Sequence, residues 1–253
     1  MSAVLSIRDL RKSFGALKVT DGISLDVEPG EVHAIIGPNG AGKTTFIAQL
    51  SGQIRQDSGQ IIYGGRDVSQ TDMAGRVRLG MARSFQITSI LPGFTVRDNI
   101  AMVVQARSGS SFRFFRRASH EAALNAGAMD YLAQVGLTDR ADEIARNLSH
   151  GEHRQMEIAM ALATQPDLML LDEPFAGTGQ QEAEMLLALL QRFKGKLTML
   201  LIEHDMNAVF ALADRVSVMV YGRLIATGTP DEVRANAEVR AAYLGDEDAQ
   251  EAG

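Results

Sequence analysis

The 253-residue chain has no cysteine, so disulfide staples are excluded and a reducing compartment is the expected setting. No stretch approaches the roughly eighteen consecutive apolar residues of a membrane span, and the N-terminus has no signal-like apolar region, so a cytosolic chain is expected. Basic residues are in deficit: 25 Lys and Arg face 31 Asp and Glu, a formal net charge of −6. A dedicated nucleic-acid binder needs a basic face for phosphates, so no nucleic-acid partner is expected, and any membrane contact has to come through a partner or a local patch. Internal repeats and low-complexity tracts are absent too. What remains is an ordinary soluble composition, 45% hydrophobic and 22% charged, long enough for one large α/β domain or a domain with a subdomain.

The chain is organised around Gly37, Pro38, Asn39, Gly40, Ala41, Gly42, Lys43, Thr44 and Thr45. An apolar run, Val32 to Ile36, precedes this stretch and an amphipathic one, Phe46 to Leu50, follows, so the setting is strand, glycine loop, helix. The glycines let successive backbone N–H groups point inward, and a helix starting near Lys43 adds the positive end of its dipole, which suits a polyphosphate. Lys43 can reach the terminal phosphates as a point charge, and the Thr44 hydroxyl is placed to hold a magnesium ion. Thr45 lies one residue further round the helix.

Two more apolar runs end in polar chemistry. Leu168 to Leu171 reads as a strand buried on both faces and ends in Asp172-Glu173; Leu197 to Ile202 ends in Glu203-His204-Asp205. In open parallel sheets ligands lie outside the carboxyl ends of the strands. Asp172 can then hold magnesium through its water shell, Glu173 can orient or deprotonate a water, and His204 can bond a phosphate oxygen or that water.

Elsewhere, residues 4 to 31 read as short strands with Ser13-Phe14-Gly15 in a loop between them, where Phe14 serves either as core or as a platform for a flat ring. Ser58 to Gly65 reads as a strand of the same sheet. Arg83-Ser84-Phe85-Gln86 is a short extended run, followed by a helix from about Val96 and another over Ala122 to Val135. Between them Arg107, Arg113, Arg116 and Arg117 stand with Phe112, Phe114 and Phe115 and no acid, a local +4 that is either a contact for lipid head groups or an acidic partner, or a solvated loop. Ser149 and Glu152 form a capping box at the start of a helix running to about Thr164. A hairpin around Gly222-Arg223 follows, then a helix capped at Thr229 with Pro230 at its first position.

These elements, in this order, resemble the ATP-binding subunits of ABC transporters over nearly the whole chain. The resemblance implies an α/β P-loop core with a mainly parallel sheet, a small antiparallel β subdomain and a helical subdomain at about 87–155. It implies one ATP-binding domain over 1–245, and the acidic composition of 246–253 reads as a disordered tail. Phe14 then matches the aromatic that stacks on adenine, Gln86 the glutamine that contacts magnesium and senses the membrane partner, Glu173 the catalytic carboxylate and His204 the switch histidine. Ser149 to Glu152 match the signature motif, whose helix start, with Ser149 and Gly151, faces the γ-phosphate on the opposite subunit of a head-to-tail dimer.

Finer resemblance, in ARSFQ, LSHGEHRQMEIAMAL, LLIEHDM and AAYLGDE, is to importers of branched-chain or hydrophobic amino acids, and within them to the longer of two paired ATPases. That implies ATP and Mg2+, permease subunits, a second ATPase or a second copy of this chain, an extracytoplasmic solute-binding protein indirectly, and a peripheral place on the cytoplasmic face of the membrane. Three positions depart from the family pattern. His150 stands where a glycine is usual, Glu152 where a glutamine is, and Gly179 where an aspartate links the two sites of the dimer. The open alternatives are a urea or amide importer ATPase, a soluble non-transport ABC ATPase, and a regulatory module that no longer hydrolyses ATP.

Overall fold

The computed structural model describes residues 3–83, 90–107 and 119–242, with side chains from 122 in the last of these segments. Its first unit is antiparallel: β1 (Leu5–Phe14) and β2 (Leu17–Val27), then, after β3 (Val32–Ile36) and α1 (Lys43–Leu50), β4 (Ser58–Tyr63) and β5 (Arg66–Asp67), in the order β2-β1-β4-β5. Ser13 and Phe14 are not in a loop. They end β1, where they pair with Lys18 and Leu17 across a two-residue turn opened by Gly15 at φ 60°. The strands looked short because their alternation is broken: Leu5 and Ile7 are buried, then the register shifts beside Asp9, at φ 47°, and burial resumes at Leu10.

The chain continues through α2 (Met73–Arg78), β6 (Met81–Arg83), α3 (Val96–Arg107), α4 (Ser119–Val135) and α5 (His150–Ala163) to β7 (Leu168–Asp172), α6 (Gln180–Gln191) and β8 (Thr198–Ile202). It then runs through α7 (Met206–Leu212), β9 (Arg215–Val220), β10 (Arg223–Gly228) and α8 (Pro230–Ala235). Single 3-10 turns cover Thr138–Arg140 and Ala145–Asn147. The second sheet has the order β10-β9-β3-β8-β7-β6, all parallel except β10. The hairpin turn is Tyr221-Gly222 rather than Gly222-Arg223, both at positive φ (45° and 78°), as the right-handed twist of a tight hairpin demands.

The apolar runs are buried on both faces because each faces a different core. Ile35, Leu168, Leu170, Leu200 and Ile202 pack with Phe46, Ile47 and Leu50 of α1 and with the antiparallel sheet. Ala34, Ile36, Met169, Leu171, Met199 and Leu201 face the other cluster, with Val96 and Ile100 of α3, Ala128 and Leu132 of α4, Met156 of α5 and Leu186 of α6. α1 is thus clamped between two sheets. Arg76 of α2 adds a polar lock: its fully buried guanidinium donates to the carbonyls of Gln49 and Leu50 at the end of α1 (2.8 and 2.6 Å), and to Val68 and Thr71. These satisfy carbonyls that a helix end leaves without partners.

Candidate active site

In the order β3-β8-β7-β6 every strand is parallel, so the loops after β3, β8 and β7 emerge side by side along one edge. Residues 37–42 follow β3, Glu203 and His204 follow β8, and Asp172 ends β7 with Glu173 next to it. Backbone bonds stitch these ends together: Glu173 N donates to Ile202 O (2.8 Å) and Glu203 N to Ile35 O (3.3 Å).

The phosphate loop is held against backbone at two glycines. A Cβ on Gly37 would lie 2.0 Å from the Met219 carbonyl, and one on Gly42, at φ 104°, 2.3 Å from that of Val19. Between them Pro38, Asn39 and Gly40 cross from half-buried to exposed, and buried Ala41 accepts the Gly222 N–H at 2.9 Å. Thr44 is exposed in the first turn of α1 and Thr45 half-buried. Lys43 turns back over the loop, where Nζ donates to Gly37 O (2.5 Å) and Pro38 O (3.0 Å). Burial pushes its pKa down, while the charges of Glu173, Glu203 and Asp172 pull the other way without cancelling the effect. The three carboxylates and the lysine stand at or beyond the ends of the adjacent parallel strands β3, β8 and β7, which is what brings them to one edge.

The three acids are held differently. Asp172 Oδ2 accepts from Arg83 Nη2 at 2.7 Å, in a nearly buried ion pair. Glu173 sits at φ 48°, a left-handed conformation costly for a side chain with a Cβ, and no protein group hydrogen-bonds its carboxylate among the described residues. Glu203 is fully buried: Oε1 accepts from Phe175 N (2.9 Å), and Oε2 from His204 N and Asp205 N (2.8 and 3.2 Å), tying the loops after β7 and β8 together. His204, in contrast, keeps an exposed ring, with Nδ1 3.6 Å from Glu203 Oε2. Arg83 and Glu203 were missed as site residues. For Glu203 a signal was available, since a carboxylate directly after a wholly apolar buried strand has to be paired by something.

The donor set fits a magnesium nucleotide. Among the described residues no three His, Asp or Glu side chains gather to hold a metal by themselves, so a cation here would share phosphate oxygens and water. That is how Mg2+ is bound in phosphoryl-transfer sites, through one or two carboxylates plus the phosphates.

Other expected residues stand apart from this edge within one chain or have surroundings of their own. Ser149 caps α5 in a closed capping box: Ser149 Oγ accepts from Glu152 N at 3.2 Å, and Glu152 Oε2 accepts from Ser149 N at 2.8 Å. Arg140 holds the other Glu152 oxygen at 2.7 Å, and Gly151 N donates to Glu182 of α6 at 3.3 Å. Within one chain these groups contact α6 and Arg140, not the phosphate loop. Phe14 lies about half-exposed at the strand end, with Lys12 Nζ 5.4 Å from its ring centre. Gln86, the stretch Phe112 to Arg117 and the tail 246–253 lie outside the described residues.

Known proteins resemble the chain over nearly all of its length. The family described as ABC transporter matches residues 20–176, and the one described as branched-chain amino acid ATP-binding cassette transporter matches residues 223–249. The high-affinity branched-chain amino acid transport ATP-binding protein LivG of Escherichia coli is 36% identical over 96% of this chain and 98% of its own. The corresponding BraF of Pseudomonas aeruginosa is 34% identical over the same shares. Among solved structures, the ADP conformation of MJ1267, an ATP-binding cassette of an ABC transporter, superposes with a TM-score of 0.83 at 29% identity, covering 97% of this chain and all of that one. A loop built for phosphates, three carboxylates on one sheet edge and relatedness from end to end place the chain in the ABC transporter family, among its ATP-binding ATPase subunits.

Proposed function

We propose that this ATPase powers uptake of branched-chain or other hydrophobic amino acids from the cytoplasmic face of the cell membrane, bound to permease subunits. Similarity to LivG and BraF along almost their full length supports the substrate class, and the match at 223–249 adds to it. The observation that carries the catalytic half is the convergence of Lys43, Asp172, Glu173 and His204 on one sheet edge.

In this reading Lys43 exchanges its two carbonyl bonds for the terminal phosphates, and backbone N–H groups between Asn39 and Thr45 take up the remaining charge. Thr44, Asp172 and Gln86 would hold a Mg2+ ion, which would supply charge neutralisation on the phosphate oxygens. Glu173, whose carboxylate no described residue hydrogen-bonds, orients and deprotonates the attacking water. His204 bonds the γ-phosphate or that water, and Glu203 fixes its backbone from behind. Phe14 stacks on adenine. Ser149 and Gly151 act in trans: in a head-to-tail dimer, with a second copy or a second ATPase, the N-terminus of α5 meets the γ-phosphate of the opposite subunit. A solute-binding protein outside the membrane delivers substrate indirectly.

The test is purification of the chain with its partners from native membranes, reconstitution in vesicles and measurement of ATP-driven uptake of leucine and of urea. Leucine uptake that Glu173→Gln abolishes supports the proposal; uptake of urea alone, or recovery with ribosomes in place of permeases, overturns it. In the same variant, ATP binding without hydrolysis should trap a dimer that Ser149→Arg prevents, read by size-exclusion chromatography with and without ATP.

A further inference from the structure

The guanidinium of Arg83 is only 2% exposed, yet it serves no apolar core. It ends β6, the edge strand, opposite Leu170 of β7. From there Nη2 holds Asp172 Oδ2 at 2.7 Å, while Nη1 reaches Gln53 Oε1 at 2.8 Å and Ser51 Oγ at 3.2 Å. Ser51 is the C-cap of α1, the helix whose first turn carries Lys43 and Thr44. One planar fork thus ties the far end of the phosphate-loop helix to the carboxylate at the end of β7. Packing alone would be served as well by an apolar side chain, because burying a cation incurs a desolvation penalty that only good geometry offsets. The bond is one-sided: Oδ2 is taken, whereas Oδ1 has no hydrogen-bond partner among the described residues.

We propose that Arg83 is a positioning residue for the metal: it fixes the Asp172 carboxylate by one oxygen, so that the other is presented to the cation of a magnesium nucleotide. The inference rests on the reading of Asp172 as a carboxylate toward Mg2+. Arg83 offers the cation nothing itself and acts through Asp172 alone. Partners of this kind orient metal ligands, and losing one typically costs about 10–100-fold in metal affinity. Gln53 and Ser51 hold the fork from behind, so a lysine, with one point charge and no fork, replaces Arg83 only in part.

The experiment measures binding rather than turnover. A fluorescent ATP analogue is titrated in EDTA and across a range of Mg2+ concentrations, and Mn2+ binding to the nucleotide complex is followed by electron paramagnetic resonance. Arg83→Met should leave affinity in EDTA unchanged and raise the Mg2+ needed for half-maximal tightening by about tenfold or more, with Mn2+ weakened in parallel. Arg83→Lys should restore part of the shift. Gln53→Ala, at an exposed residue and so expected to fold, should shift Mg2+ dependence in the same direction by less, and it decides the matter if Arg83→Met does not fold. Parent-like Mg2+ dependence in Arg83→Met, or equal loss of affinity with and without Mg2+, overturns the proposal in favour of a purely structural arginine. Parent-like Mg2+ dependence in Asp172→Asn instead overturns the reading of Asp172, and the inference with it.

Discussion

Replacing Gly42 by alanine separates the two things a glycine can do in a phosphate loop. Gly42 precedes α1 at φ 104°, and its added Cβ would stand 2.3 Å from Val19 O, 2.9 Å from the Met219 methyl and 3.2 Å from Val19 Cγ1. Non-bonded atoms pack at about 3.5 Å, so loop and β2 would have to part by about 1 Å. The left-handed backbone costs about 1–2 kcal/mol in an alanine and the overpacking about 1–3 kcal/mol more, slightly offset by a less flexible unfolded chain. Gly42→Ala should therefore lose about 2–5 kcal/mol, and a displacement of that size should cut ATP turnover about a hundredfold. Gly40→Ala is the control: it shares the positive φ, at 78°, but no atom of the described residues lies within 4 Å of its Cβ. It should lose only the conformational part, about 1–2 kcal/mol, and keep most of its activity. Urea unfolding and phosphate release on both variants give the comparison. Equal losses in the two would mean that space beside Val19 does not matter, and would refute the account of why the loop is built on glycine at that position.

Three further outcomes are expected. Lys43→Ala should weaken ATP binding about 10–100-fold and abolish hydrolysis, because at least one charge-assisted bond of about 1.5–3 kcal/mol is lost, while the thermal midpoint stays close to the parent's; calorimetric titration and a melt check both. Burial pushes the Glu31 carboxyl up, but its bonds with His33 Nδ1 (3.0 Å) and Glu28 N (2.7 Å) and the charge of Arg215 outweigh that and hold it below its ordinary 4.5. Stabilisation from a depressed carboxylate is present above pH 4.5 and disappears as pH falls through the depressed value, so Glu31→Gln should lower the melting temperature at pH 7 and the difference should shrink toward pH 3. A constant difference across that range would show that ionisation plays no part. Gly179→Asp should raise stability by a few tenths of a kcal/mol, about what an N-cap aspartate gains over glycine. The residue caps α6 at φ −71° with no atom of the described residues within 4 Å of a Cβ, so a lowered melting temperature would contradict this.

The local structure of the candidate site was legible in the amino-acid order because it depends on contiguous residues. Gly37 to Thr45 after an apolar run, Asp172-Glu173 and His204 after two others, and the Ser149 and Glu152 capping box are each complete within a few positions, and each formed as expected. The parallel sheet followed from continuous apolar runs, which make sense only between two cores. Tertiary structure decided what depends on residues far apart. The bulge at Asp9 concealed the long strands, since a single extra residue breaks the period of two on which strand reading relies. Arg83 and Asp172 are 89 positions apart and Glu203 and Phe175 are 28, and no spacing rule connects them; they meet because parallel pairing in the order β3-β8-β7-β6 brings strand ends from distant parts of the chain to one edge. Sequence determined which groups could do chemistry here, because each needs only its own loop or cap. The fold decided which of them share a field and a hydrogen bond, because that depends on strand order, and strand order is set by the burial of every strand together.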